Sequence, residues 1–338
     1  MDLKLVFILI LSYNGWRDTV ECLESLQRLN YPNYRIVVID NGSTDGSMDR
    51  TKAWAAGELP VESKFFAYDP SIKPVRWIEY DRATTEAGGL PELEAEIEVL
   101  PPNRRMVLIQ TGANLGYAGG NNVGIKYSLA RGANYVWLLN NDTVMEPTAV
   151  CEMVRMMESK PQAGCVGAKL IYYDWPDTLQ VAGSHFCFWS GLAFARGYRK
   201  KDTNDWNEPY MPGYLSGAAL LCRRAVFEQV GFLDESFFMY AEDIDWSIRV
   251  KKANWEIWYC PQARVWHKDS ATAGSKSPFM EYWMTRSNLR LVRRYHPYRL
   301  PVATFFQVLR AVRRLATGNF RRSLAVIRGI WAGIGLKL

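Results

Sequence analysis

Several groups of residues in this 338-residue chain have the types and spacing to do chemistry. Asn140-Asn141-Asp142 directly follows the apolar run Tyr135-Val136-Trp137-Leu138-Leu139. A carboxylate emerging at the edge of a buried strand can hold a hard divalent cation whose open positions take diphosphate oxygens. It can equally cap a helix beginning after Pro147. Glu242, Asp243 and Asp245 crowd three carboxylates into four residues under Phe237, Phe238, Tyr240 and Trp246. Aromatic cover desolvates a carboxylate, raises its pKa and makes it a better general base. The same acids would also suit the first turn of a helix. In Asp40-Asn41-Gly42-Ser43-Thr44-Asp45-Gly46, Asp40 can accept from a nucleobase N–H or a ribose hydroxyl, or close an Asx-turn. The stretch from Thr111 to Asn122 holds four glycines, which allow a close backbone approach before a helix N-terminus that favours an anion. No Gly-Lys-Ser/Thr follows, so it is not a phosphate-binding loop of the Walker type. His267, one of three histidines, is either a core residue or a metal ligand beside Asp142.

The elements needed to position these groups read as alternating strands and helices. Apolar, β-branched runs predict strands at 5–11, 34–39, 106–110 and 135–139. Helices are expected from Asp18 or Thr19 to 29, after Gly46, and over 122–131. This rhythm predicts an α/β fold with a mostly parallel central sheet covered by helices on both faces. Ligands of such sheets gather at the carboxyl ends of the strands, where all the polar clusters above fall. Beyond Asn141 the pattern loosens, with strand pieces at 163–171, 214–222 and 256–259. A mixed half on the same sheet is therefore expected. The domain reading is one unit over 1–281, split into halves at 1–142 and 143–281, with a helical tail over 282–338.

Charge is distributed unevenly. Lys plus Arg number 41 against 35 Asp plus Glu, for a net +6. Residues 282–338 hold eleven Arg, one Lys and no acid, whereas 57–103 hold ten acids and four bases. The acidic stretch is read as a solvated excursion with a short helix near 91–99. In the tail, Phe305, Leu309, Val312 and Leu315 share a helical face, with Arg310, Arg313 and Arg314 turned largely away. Leu324, Ile327, Trp331 and Ile334 repeat the scheme beside Arg321, Arg322 and Arg328. Such stripes either lie on an anionic membrane surface or pack on the main unit or on a second copy in a homodimer. Six scattered cysteines suggest neither a disulfide framework nor a zinc site. The apolar run at 3–11 is too short for a membrane span and interrupted by Lys4, which fits a buried strand and a cytoplasmic protein, peripheral at the inner face of the membrane. The basic tail shows no nucleic-acid-binding motif, and no nucleic-acid partner is expected.

Taken together, these segments resemble the family-2 glycosyltransferases of GT-A fold, and within them the rhamnosyltransferase-like branch. The likeness runs from about residue 3 to 270 and rests on Leu11-Ser12-Tyr13-Asn14, Val37 to Gly46, Asn114 to Asn122, Leu138 to Asp142, Ser216-Gly217-Ala218, Gly231 to Glu235, Tyr240 to Trp246, and Val265-Trp266-His267. The resemblance makes 1–281 the catalytic unit, with a nucleotide-sugar half at 1–142 and an acceptor half at 143–281. It implies donor-binding roles for Ser12, Tyr13, Asn14, Asp40, Asn41, Gly42, Asn114, Gly116, Gly119, Asn121 and Asn141. It implies Mg²⁺ or Mn²⁺ on Asp142, helped by His267, and Asp243 as general base with Glu242 beside it. The family's metal motif usually begins with Asp, and Asn140 stands there instead, removing one carboxylate. Its implied activity is inverting transfer from a nucleoside diphosphate sugar, such as dTDP-rhamnose, to a glycan or polyprenyl-diphosphate-linked sugar in surface polysaccharide or cell-wall synthesis. One base and a metal-bound leaving group suffice for that, whereas a glycosidase needs two carboxylates flanking the bond. A sugar-phosphate nucleotidyltransferase and a non-catalytic nucleotide-sugar-binding protein are the alternatives.

Overall fold

The computed structural model describes residues 3–268 and 277–335; Ser270, at the end of the family likeness, lies outside them. The first half runs β1 (Val6–Ser12), α1 (Trp16–Leu26), β2 (Tyr34–Asp40), α2 (Ser47–Ala56), β3 (Arg76–Asp81), α3 (Arg82–Glu86), α4 (Pro91–Glu98), β4 (Arg105–Gln110), α5 (Gly116–Ala130) and β5 (Tyr135–Asn140). There follow β6 (Thr143–Met145), α6 (Ala149–Ser159), β7 (Ala163–Tyr172), β8 (Leu179–Val181), β9 (Ser184–Cys187), β10 (Leu192–Ala195), β11 (Ala219–Arg223), α7 (Arg224–Val230), α8 (Glu242–Lys252) and β12 (Glu256–His267). Three helices close the chain: α9 (Pro278–Tyr295), α10 (Leu300–Ala316) and α11 (Phe320–Ile334).

Ten strands form one sheet in the order β3-β4-β2-β1-β5-β11-β7-β12-β6, with β8 on β7, while β9 and β10 pair antiparallel in a separate two-stranded sheet. From β3 to β5 every pairing is parallel, and β11 then enters antiparallel to both β5 and β7. The two-faced burial explains the uninterrupted apolar runs. In β1, Val6, Ile8 and Ile10 enter one core, while Phe7 and Leu9 enter the other. Because β2 and β5 flank β1 on opposite sides, the chain reverses direction across the sheet at β1. The carboxyl ends of β1 and β5 border the crevice this creates.

Four expectations change. The acidic stretch is no solvated excursion: β3 forms the parallel edge of the sheet, burying Ile78 and Tyr80 while Arg76, Glu79 and Asp81 stay exposed. The expected short helix is α4, where buried Glu94 pairs with Arg131 at 2.8 Å. The glycine-rich segment is mostly helix, because α5 starts at Gly116. A Cβ on Gly120 would lie 2.5 Å from Leu11 Cδ1, and one on Gly124 2.4 Å from Ile39 Cδ1. These glycines therefore let the helix settle onto β1 and β2. Next, α1 begins at Trp16 behind Gly15, so Asp18 sits in its first turn and neither Asp18 nor Thr19 caps it.

The fourth change is in the tail. The division after residue 281 falls inside α9, and α9–α11 share their own core of Leu289, Val292, Ala303, Ala311, Val326 and Ile330. Glu281, fully buried, accepts from Arg310, from Arg314 at 2.8 Å and from Arg322 at 2.5 Å. Those three arginines join the helices instead of turning to an outside surface. Arg313, Arg321 and Arg328 remain exposed.

Candidate active site

A cavity of about 300 Å³ opens at the carboxyl ends of β1 and β5, and Asp142, His267, Glu242 and Asp243 all line it. The first pair meets through strand register. β12 is twelve residues long and runs antiparallel to β6, setting His267 opposite Thr143, while Lys268 N donates to Asp142 O at 3.0 Å. His267 Nε2 then lies 3.1 Å from Asp142 Oδ1 and 3.3 Å from Asn140 Nδ2. Gln180, on β8, presents Oε1 to His267 Nδ1 at 2.6 Å. An amide oxygen only accepts, so Nδ1 carries a proton, and in the neutral ring Nε2 is the nitrogen whose lone pair is left to bind a metal. Asp142 Oδ1 is buried and makes no hydrogen bond. The two side chains thus fit a divalent cation whose other positions go to diphosphate oxygens and water. Among the described residues there is no group of three or more metal-binding His, Cys, Asp or Glu side chains. That agrees with Asn140 standing where a carboxylate is usual.

α8, which carries Glu242 and Asp243, follows a turn in which Tyr240 (φ 64°) and Ala241 (φ 67°) are both left-handed, a conformation that costs non-glycine residues energy. The turn is held from outside: Tyr117 N donates to Phe238 O at 2.9 Å, and Ser287 Oγ, on α9, donates to Met239 O at 2.9 Å. The three neighbouring acids have different fates. Asp245, fully buried, accepts from Arg249 and Tyr295 at 2.8 Å and Arg294 at 2.7 Å, and is structural. Asp243 accepts from Gly217 N at 3.2 Å and Ile244 N at 2.8 Å. Burial outweighs these two bonds and pushes its carboxyl up to about 6. Glu242 is driven well above the usual carboxylate range by burial and by Asp243, and its Oε2 makes no hydrogen bond.

Of the other residues singled out from the sequence, Tyr13, Asn41, Asn114, Gly116 and Asn141 line the cavity. Asn41 Nδ2 ties Asn114 Oδ1 and Gly116 O together, at 3.2 Å each. Six do not line it. Ser12 Oγ bonds Thr19 Oγ1 at 3.0 Å, and Asn14 accepts from Thr44 N at 2.8 Å. Asp40 Oδ2 accepts from Ser43 N at 3.1 Å, closing the turn, while its Oδ1 is buried without a partner. Gly42 packs on the Ala113 backbone, Gly119 on Leu115, and Asn121 Nδ2 bonds Tyr117 O at 3.0 Å within α5. Gln180 and Tyr117 were not foreseen as site residues. A single Gln in a three-residue strand gives no signal, and Tyr117 was visible only as one letter of a glycine-rich segment.

A doubly covered, mostly parallel sheet with a cavity at its reversal point, lined by Asp142, His267, Glu242 and Asp243, is the architecture of a GT-A fold. Solved structures share the fold. The structure of GalNAc-T7 with UDP, GalNAc and Mn²⁺ matches at TM-score 0.55 and 14% identity over 99% of this chain and 55% of that one. A mannosyltransferase from Pyrobaculum calidifontis in complex with GDP-Man and Mn²⁺ matches at TM-score 0.55 and 13% identity, over 98% and 87%. Family models place the chain more narrowly: residues 91–287 match "Glycosyltransferase like family 2" and residues 7–69 "Glycosyl transferase family 2". The chain belongs to glycosyltransferase family 2. Among curated relatives, the N-acetylglucosaminyl-diphospho-decaprenol L-rhamnosyltransferase of Mycobacterium tuberculosis is 31% identical over 221 residues, 60% of this chain and 69% of the relative. A low-salt glycan biosynthesis hexosyltransferase of Haloferax volcanii is 28% identical over 45% of this chain and 48% of its own length.

Proposed function

We propose that this glycosyltransferase moves a sugar, with inversion, from a nucleoside diphosphate to a hydroxyl of a lipid-linked or glycan acceptor, and that L-rhamnose from dTDP-rhamnose is the first donor to try. The carrying observation is that Asp142 and Asp243, a hundred residues apart in sequence, line one and the same cavity. In this reading Tyr13, Asn41 and Asn114 bind the donor on the β1–β2 side. Asp142 and His267 would hold Mg²⁺ or Mn²⁺ on the diphosphate, and the cation, when bound, neutralises the leaving group so that no acid is needed there. Asp243 takes the proton from the acceptor hydroxyl, whose oxygen attacks the anomeric carbon from the face opposite the diphosphate. A carboxylate poised near 6 is ionised at neutral pH yet more basic than an ordinary Asp. Burial, and then the neighbouring Asp243, both favour the protonated form of Glu242.

The tail fits attachment to a bilayer that presents the acceptor. Phe305, Leu309, Val312, Leu315, Phe320 and Leu324 are 46–69% exposed, with Arg313, Arg321 and Arg328 near them in sequence and no acid after Glu281. Among the described residues no helix is long and apolar enough to cross a membrane, so these helices would lie on an anionic surface at the cytoplasmic face. The test is a panel of nucleoside diphosphate sugars with and without Mn²⁺, offered with a short-chain polyprenyl-diphosphate N-acetylglucosamine. Release of nucleoside diphosphate with formation of a disaccharide supports the reading. Release of pyrophosphate from a nucleoside triphosphate would replace it with a nucleotidyltransferase.

A further inference from the structure

Beside the turn that carries the cavity-lining Met239 and Tyr240, aromatic rings of α9 form a part-exposed surface. Phe238, next to the cavity-lining Met239 and Tyr240, stacks at 4.7 Å and 31° on Trp283 of α9. Trp283 is flanked by Phe279, one helical turn earlier, at 6.2 Å and by Tyr282 at 5.1 Å. Phe279 is 46% exposed, and Phe238, Tyr282 and Trp283 are each part-exposed. These rings therefore form an open shelf and not a core. Arg286, one turn after Tyr282, lies 5.0 Å over the Trp283 ring, and its buried Nη1 has no hydrogen-bond partner among the described residues. It adjoins Arg290, whose guanidinium is disfavoured by burial and by the charge of Arg286. Arg286 and Arg290 give this face of α9 positive charge, with Asp234 beside Arg290 as a counter-charge.

We propose that Phe238, Phe279, Tyr282, Trp283 and Arg286 form the acceptor site, and that it takes a sugar joined to a lipid through a diphosphate. This rests on the transferase reading above, which requires the acceptor hydroxyl to approach from the wall that carries Asp243. Ring faces suit the C–H face of a pyranose, and a few polar groups among aromatic ones are the usual make-up of a ligand site. A guanidinium supplies fork-shaped donors to phosphate oxygens. The aromatic part of the shelf would then select the sugar, and Arg286 its diphosphate.

The experiment measures steady-state transfer to two probes: N-acetylglucosamine on a short polyprenyl diphosphate, and the same sugar as a neutral octyl glycoside. Phe279→Ala, at an exposed position, and Trp283→Ala should each raise the KM for both probes about tenfold while kcat changes less than threefold. Donor affinity measured by calorimetry without acceptor should stay that of the parent. Arg286→Gln should raise KM only for the diphosphate probe, to near the value for the octyl glycoside. Parent-like KM values in Phe279→Ala and Trp283→Ala, with the parent turning over normally, would remove the shelf and leave the transferase reading intact. Should Arg286→Gln weaken both probes alike, the diphosphate assignment falls. A parent enzyme that consumes no nucleoside diphosphate sugar would overturn the transferase reading itself, and the acceptor site with it.

Discussion

Replacing Asp243 by Asn should stabilise the protein in a pH-dependent way while it removes turnover. Asn resembles the protonated acid in shape and charge. The difference between the two chains therefore reports the cost of carrying a buried carboxylate. That carboxyl is raised from its ordinary 3.8 to about 6, chiefly by burial. Below about pH 3.8 both states of the parent are protonated at this site and nothing is lost. As pH climbs from there to 6 the unfolded chain ionises first, so it binds fewer protons than the folded one and parent stability falls. Above 6 the loss levels off at about 3 kcal/mol, roughly two pKa shifts of 1.36 kcal/mol each. The variant escapes this loss, gaining about 1 kcal/mol at pH 4.5 and about 3 kcal/mol at pH 7.5. With an unfolding entropy of roughly 0.7 kcal/mol/K for a chain this long, Tm should rise by about 1–2 °C at the lower pH and about 4 °C at the higher. Thermal denaturation followed by circular dichroism at the two pH values decides it. An equal Tm difference at both, or a variant less stable at pH 7.5, would show that Asp243 is not held at a cost in the free enzyme.

The same carboxyl sets the acid limb of activity: kcat/KM should fall tenfold per unit below about pH 6, because only the ionised base accepts the proton, and a limb near 4 would contradict the burial of Asp243. Gln180→Leu removes the acceptor that fixes the His267 ring, so Mn²⁺ affinity in the presence of nucleoside diphosphate should drop about 10–100-fold with little change in Tm; isothermal titration showing the parental value would count against His267 as a ligand. Leu309→Asp with Val312→Asp, both at exposed positions, should abolish flotation on anionic vesicles, and the triple variant Arg313→Glu, Arg321→Glu, Arg328→Glu should weaken it at least ~10-fold; flotation unaffected by either would leave the tail as a purely structural unit.

Strand β1 and the elements that alternate with it were legible because both of their faces are buried, and an uninterrupted apolar run that stops at a polar cluster suits little besides a central strand. Edge strand β3 was hidden because its outward positions hold Arg76, Glu79 and Asp81, so charge count masked the alternation of Ile78 and Tyr80. Glycines in α5 were misread for the same reason that they matter: lacking a side chain, they say that something comes close, not what. For Gly120 and Gly124 it is the sheet. The acids of α8 were readable as a group but not individually. Sorting Asp245 from Asp243 depends on Arg294 and Tyr295, fifty residues further on, which no local pattern announces. Tail arginines followed suit, since amphipathic spacing cannot tell Arg310, bound to Glu281, from Arg313 in solvent.

One residue connects the two walls of the cavity. Tyr117 belongs to α5, whose first turn borders the donor side, yet its backbone N–H reaches Phe238 O and its hydroxyl donates to Gly217 O at 2.7 Å. Gly217 in turn donates its own N–H to Asp243. The turn that precedes the base and the loop that bonds the base are thus both fastened to the element that follows the donor-side loop. The approach is close enough to dictate residue type. A Cβ on Gly116 (φ 72°) would stand 2.3 Å from Phe238 O, and one on Gly217 2.7 Å from the Tyr117 hydroxyl. The left-handed Tyr240 and Ala241 lie between those two attachments, where external bonds can maintain a conformation the local sequence disfavours. The spacing between Asp243 and the loop that leads into α5 is consequently held through Tyr117, by its backbone N–H on Phe238 O and its hydroxyl on Gly217 O.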